Sequence, residues 1–246
     1  MVKANSDTYS SLIAELRELS MLGSINAVLG WDEQTHLPTR GTEYRAEQSS
    51  LLARMMHERF TAPRIGEWLG ELEASGALGD RESDVAVNVR EMRRAYERAV
   101  KLPTSLVEEL ARTAVTGQQA WTDARAKSQF PLFLPSLQKM VQLKRQVAAC
   151  YGSASGDPYD ALLDEYEPGE TSENVQKTFD ALRGPLVELI GIVVGSGKVA
   201  PVEILERPFA VEAQEKLARE ASAGFGFDFE GGRIDVSVHP FCTELG

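Results

Sequence analysis

Three histidines, His36, His57 and His239, are the imidazoles available to this 246-residue sequence. In "MMHERFT", His57 is followed by Glu58, the opening of the zinc signature H-E-x-x-H. That signature works because two imidazoles one helical turn apart face a metal while the Glu serves as base. The second imidazole would have to stand at position 61, which is Thr61, so His57 and Glu58 read as ordinary helix residues. A catalytic zinc takes three protein ligands, usually with two brought close by local spacing, and no pair of these histidines has that spacing. A metal enzyme of another kind would need His36, His239 and scattered carboxylates to meet in space. The sequence carries no G-x-S-x-G elbow, no Walker loop and no G-x-G-x-x-G. The acidic pairs Asp164/Glu165 and Asp157/Asp160 could serve acid–base chemistry, but carboxylates are abundant here and read as solvated or capping groups. "WDEQTHLPTRG" places the apolar anchor Trp31 before a polar run ending at Pro38 and Gly41, which reads as a helix end and a turn.

The elements that would position these residues are mostly helical. Leu12, Leu16 and Leu19 form a stripe at i, i+4 and i+7, following Asn5, Ser6 and Asp7 as candidate caps. "EYRAEQSSLLARMMHERF" predicts a second helix, and Pro63 stands near the start of a third. Asp80 to Lys101 predicts a long amphipathic helix stopped by Pro103, after which Thr104 caps the next. "FPLFLPSLQKMVQLKRQVAACYG" predicts a helix ending at Gly152 as C-cap. "SASGDPYDALLDEYEPGE" is the main break. Thr171 begins another helix, and a last one spans roughly 211–221. The end differs: Phe225, Phe227 and Phe229 alternate with polar or small residues, Gly231-Gly232 signals a tight turn, and Ile234, Val236 and Val238 alternate again. This predicts a β-hairpin over about 225–239, running into His239. The fold expected is mainly α, a helical domain over 1–246 with a short C-terminal β-hairpin.

Composition narrows the function classes. The net charge is −11, with 43% hydrophobic and 26% charged residues, ordinary values for a globular protein. An acidic chain without a basic stripe argues against nucleic acid as partner. Arg90, Arg93, Arg94 and Arg98 alternate with Glu91 and Glu97, as a solvated helix face does. Cys150 and Cys242 stand far apart with no C-x-x-C, as in a reducing compartment. The N-terminus lacks the pattern of a signal peptide, and the longest apolar run is too short for a bilayer. A cytoplasmic protein that binds no membrane is expected.

Four ordered stretches together resemble the M32 metallocarboxypeptidases, the carboxypeptidase Taq family. "LGWDEQTHLPTRGTEYRAEQSSLLARMMHE" resembles its Trp-Asp…Pro segment and following helix, and "AWTDARAKSQFPLFLPSLQKMVQLKRQ" its central helical pair. "DPYDALLDEYEPG" resembles its Tyr-Asp…Tyr-Glu-Pro-Gly segment. "GFGFDFEGGRIDVSVHPF" is similar to the stretch entering its His-Pro-Phe motif. The resemblance implies a larger helical metallopeptidase that removes single residues from peptide C-termini, uses zinc or a similar divalent ion, and is commonly a cytosolic homodimer. The family's H-E-x-x-H helix, its further Glu and its Asp-x-Arg-x-Thr motif have no counterpart here. Only His239, Pro240 and Phe241 carry over, as residues shaping the substrate groove; no catalytic or metal-binding residue and no cofactor is assigned to this chain. The expectation is the N-terminal portion of such an enzyme, inactive alone, since a metal must polarise the carbonyl and a base must take the proton of the attacking water. The alternative is a non-catalytic helical association module derived from that fold, using the apolar surface its missing half would leave exposed.

Overall fold

The computed structural model describes the backbone of residues 2–76, 79–238 and 241–243, with side chains from Asp7 onward. Helices follow one another along the chain: α1 (Val2–Thr35), α2 (Thr42–Phe60), α3 (Pro63–Ala74), α4 (Asp84–Ala99), α5 (Thr104–Ala126), α6 (Leu134–Tyr151), α7 (Pro158–Leu163), α8 (Ser172–Gly195) and α9 (Val211–Gly224). They fall into two compact units, residues 1–168 with 237–246, and residues 169–236.

In the first unit the apolar stripes meet as two clusters. Leu12 of α1, Ile65, Leu69 and Leu72 of α3 and Val89 of α4 are almost wholly buried, with Trp68, Met92 and Tyr96 packed around them. Leu106 of α5 meets Leu143 and Val147 of α6, with Leu162 of α7 against them. Between the clusters α2 lies along α5, the most extensive helix pair in the structure. Buried residues on these two helices are Thr42, Arg45, Ala46 and Ser50 of α2 and Leu106, Thr113, Val115 and Ala124 of α5.

The helix ends follow local chemistry in several places. Pro63 occupies the first turn of α3, where its missing N–H costs nothing. The Ser83 hydroxyl accepts from the Ala86 amide at 3.3 Å and starts α4. Gly152 ends α6 with φ 69°. Thr171 caps α8, its hydroxyl accepting from Asn174 N–H at 3.2 Å. Other expectations need correction. α1 begins at Val2, so Asn5, Ser6 and Asp7 lie inside the helix and do not cap it. Pro103, in extended conformation, stands at the N-cap of α5, and Thr104 is its first helical residue. The main break contains a helix of its own, α7, capped by the Asp157 side chain on the Tyr159 amide at 2.8 Å.

The largest correction concerns the hairpin: among the described residues there is no strand. The alternation of Phe225, Phe227 and Phe229 belongs to a helix stop. Gly226 adopts φ 89°, its N–H donates to Ala223 C=O at 3.0 Å, and Phe227 N–H donates to Ser222 C=O at 3.0 Å. These two bonds are the Schellman closure of α9, which absorbs the last carbonyls and needs a residue free to take positive φ. Asp228 then folds the chain again, accepting from Glu230 N–H through its side chain and from Gly232 N–H through its carbonyl, both at 2.8 Å. With Phe225 to Gly232 engaged in local bonds, Ile234, Val236 and Val238 form no strand ladder among the described residues.

The second unit, residues 169–236, contains α8 and α9, and neither helix has a buried residue. Phe227 and Phe229 meet edge to face at 4.8 Å, and Arg219 of α9 lies 5.5 Å from the Phe229 ring.

Candidate substrate groove

The segment that leads into His-Pro-Phe lies against the polar end of α1 and the middle of α5. Of the three residues assigned to the groove, His239 and Pro240 lie outside the described residues, and Phe241 is half-buried. Val238, immediately before them, helps to line a cavity of about 250 Å³ with Glu33, Gln34, Gln118, Thr122 and Asp123. A larger hollow of about 480 Å³ shares Gln34 and Gln118 and continues over Trp121, Phe133, Leu137 and Met140. The two are neighbouring hollows on α5, the one at Val238 lined mainly by polar residues and the one toward α6 mainly by apolar residues.

"WDEQTHLP" builds the polar end. The Asp32 carbonyl accepts from both His36 N–H at 2.9 Å and Leu37 N–H at 2.8 Å, which closes α1 and turns the chain. Trp31 packs edge to face on His36 at 5.2 Å. The Asp32 carboxylate accepts from Arg45 Nη2 at 2.6 Å, while the same guanidinium donates to Gln48 Oε1 at 3.1 Å and to the Leu29 carbonyl. Glu33, next in sequence, faces the cavity; burial pushes its carboxyl above the ordinary range, and the Arg45 charge only partly opposes this. Asp123 accepts from Gln119 Nε2 at 3.0 Å across one turn of α5.

Sequence reasoning missed Arg125. Its guanidinium donates to the Val238 carbonyl at 3.4 Å and lies 5.3 Å from the Trp121 ring. The signal was present in "AWTDARAK", because Trp121 and Arg125 stand four residues apart and share one face of α5. Its partner, 113 residues away, was not legible.

The remaining candidates are structural. His57 Nε2 donates to the Leu102 carbonyl at 3.0 Å and ties α2 to the start of α5. The Asp160 carboxylate accepts from the Ser155 hydroxyl at 2.6 Å, and Asp164 accepts from Arg94 at 2.8 Å and Arg98 at 2.6 Å. The arginines of α4 are therefore not simply a solvated face: Arg93 grips Glu73 through two nitrogens, both at 2.8 Å, and Arg98 stacks on Tyr151 at 3.9 Å. Cys150 and Cys242 are free thiols. Among the described residues, no three His, Cys, Asp or Glu side chains come together as a metal site. No described helix is long and apolar enough to cross a membrane.

Residues 11–246 match the family described as Carboxypeptidase Taq (M32) metallopeptidase. Thermostable carboxypeptidase 1 of Thermus thermophilus is 42% identical over 97% of the chain, and the match takes up 48% of that relative. The BsuCP crystal structure superposes with a TM-score of 0.89 at 29% identity, over 97% of this chain and 48% of that one. The M32 carboxypeptidase of Deinococcus radiodurans superposes with a TM-score of 0.75 at 34% identity, over 98% of this chain and 47% of that one. The chain spans about half the length of the curated relatives it matches. With a match over nearly its whole length, the chain belongs to the M32 metallocarboxypeptidase family and corresponds to the N-terminal portion of such an enzyme.

Proposed function

We propose that this chain forms one wall of the substrate groove of a metal-dependent carboxypeptidase that removes single residues from peptide C-termini. The observation that carries this reading is the family match over residues 11–246 together with the groove on α5 beside Val238. His239, Pro240 and Phe241 shape that wall. Glutamine and threonine side chains at the polar end suit peptide amides, and Trp121, Phe133, Leu137 and Met140 suit an apolar side chain. The metal, zinc or a similar divalent ion, would be held by residues of the kind found in the other half of the relatives, since the described residues offer no ligand set for it. The whole enzyme would be a cytoplasmic homodimer that acts on peptides and not on nucleic acid.

The test is release of C-terminal amino acids from an N-blocked peptide. The purified 246-residue chain, with zinc supplied, is expected to release none, and the chain joined to the other half of the Thermus thermophilus relative is expected to turn over. Chelator-sensitive turnover by the 246-residue chain alone would overturn the reading.

A second reading, the non-catalytic association module, is favoured by the exposure of α8 and α9. Sedimentation at rising concentration separates the two, because a strictly monomeric chain would count against the module.

A further inference from the structure

A further cavity, of about 490 Å³, lies within the first unit between the second half of α4, the start of α5 and the second half of α6. It shares no lining residue with the two hollows beside Val238. Its floor is apolar: Leu102, Leu110 and Val147 belong to the second core cluster, and Val107 and Ala99 extend that surface. Small-molecule sites have this make-up, roughly 300–1,000 Å³ with mostly apolar walls and a few polar groups that fix orientation.

The polar groups at its edge reverse the charge balance of the chain. Acidic residues outnumber basic ones 37 to 26 over the whole sequence, yet Arg94, Arg98 and Lys144 line this cavity against the single carboxylate of Glu165 among its described lining. Arg94 and Arg98 share one carboxylate oxygen of Asp164, at 2.8 Å and 2.6 Å. Both bonds of Arg94 to Asp164 come from Nη2, so its Nε and Nη1 remain available as donors. The stack on Tyr151 at 3.9 Å fixes Arg98, and His57 is already engaged with the Leu102 carbonyl. Lys144 is exposed on α6 and forms no ion pair among the described residues. Three cations against Asp164 and Glu165 leave one positive charge beside an apolar floor. We propose that this cavity binds a small organic anion with an apolar body, a carboxylate on a hydrocarbon chain. The tail lies on Val107, Leu110 and Val147, and the carboxylate faces Lys144 and Arg94. The site stands independently of the carboxypeptidase reading, since no residue of the groove takes part in it.

The test titrates the 246-residue chain with sodium octanoate at low salt and follows amide shifts by NMR. Saturable binding with a Kd below about 1 mM is expected, with the largest shifts at Ala99, Val107, Leu110 and Lys144. Octylammonium carries the same tail and the opposite charge and should bind at least about tenfold more weakly, while acetate, without the tail, should not saturate. Lys144→Glu should weaken octanoate by at least about fivefold. Arg145→Glu makes the same charge change one residue along α6, on a side chain that does not line the cavity, and should alter the affinity less than about twofold. Both side chains are exposed, so neither variant should melt lower than the parent. Should Lys144→Glu do so, Lys144→Gln replaces it and should weaken octanoate by at least about twofold.

Equal affinity for octanoate and octylammonium overturns the inference, because the cationic edge then selects nothing. Equal weakening by the substitutions at Lys144 and Arg145 also overturns it, since the response would then follow the surface charge of α6 and not the cavity. So does a lack of saturation up to about 10 mM octanoate. Shifts centred on Trp121, Phe133 and Met140 would place the tail in the apolar hollow on the other part of α5 and overturn it as well.

Discussion

Replacing Asp32 by asparagine tests how the polar end of the groove is held. Arg45 is 8% exposed and donates to Asp32, Gln48 and the Leu29 carbonyl, so its charge has one carboxylate in direct contact. The carboxamide of Asp32→Asn keeps an oxygen for Nη2 but removes the compensating charge. Removing one partner of a fully buried pair costs about 3–5 kcal/mol. Here the Asp32 side chain is 33% exposed, so water screens part of the interaction and about 2 kcal/mol is the reasonable expectation. For a chain of this size that corresponds to a fall of about 4–8 °C in melting temperature. The second arm is Arg45→Met, which keeps much of the length of the stem and removes the charge. The double variant should be more stable than the sum of the two single losses by about 1–2 kcal/mol, because it no longer strands a buried guanidinium. Circular dichroism melting of the four proteins at one ionic strength gives the cycle. If Asp32→Asn melts within about 1 °C of the parent and the two substitutions are additive, the pair does not hold the groove, and the reasoning fails.

Glu33 and Glu15 should respond to pH in opposite senses. Burial raises the Glu33 pKa, so stability is lost as pH rises from the unfolded value of about 4.3 through the raised folded one. Glu33→Gln should therefore melt higher than the parent at pH 7, with the gain gone below about pH 4. Hydrogen bonding to Arg59, then its charge and that of Arg64, lowers the Glu15 pKa, so its stabilisation is present above about pH 4.3 and fades as pH falls through the lowered value. Glu15→Gln should melt lower at pH 7, and the difference should vanish in acid. Leu69→Ala opens the wholly buried centre of the first core and should cost about 3 kcal/mol, or about 6–12 °C on the same melting curve. Gly226→Ala puts a Cβ at φ 89° and should cost about 1 kcal/mol locally, seen as roughly fivefold faster amide exchange at the end of α9.

The elements that were legible in sequence are those whose cause is local. Pro63 and Gly152 act within one turn of their own position, and the apolar stripes of α1, α3 and α4 needed only their period to be read, although α4 starts at Asp84 behind the Ser83 cap and not at Asp80. The Phe225–Phe229 alternation misled for a related reason. Two-residue periodicity is the same whether Gly226 interrupts a strand or closes a helix, and what decides is whether the preceding helix still has free carbonyls to satisfy. α9 does, at Ser222 and Ala223, and it takes the next two amides before any strand can form. Non-local pairs were beyond reach altogether. Arg93 finds Glu73 across 20 residues, Arg94 finds Asp164 across 70 and Arg125 finds Val238 across 113. Each of these arginines sits in a charge pattern that also describes a solvated surface, because composition records how many charges there are and not which of them meet. The same gap separates α8 from the other helices. Its apolar residues were visible as a run too short for a membrane, and the run by itself does not record what they meet.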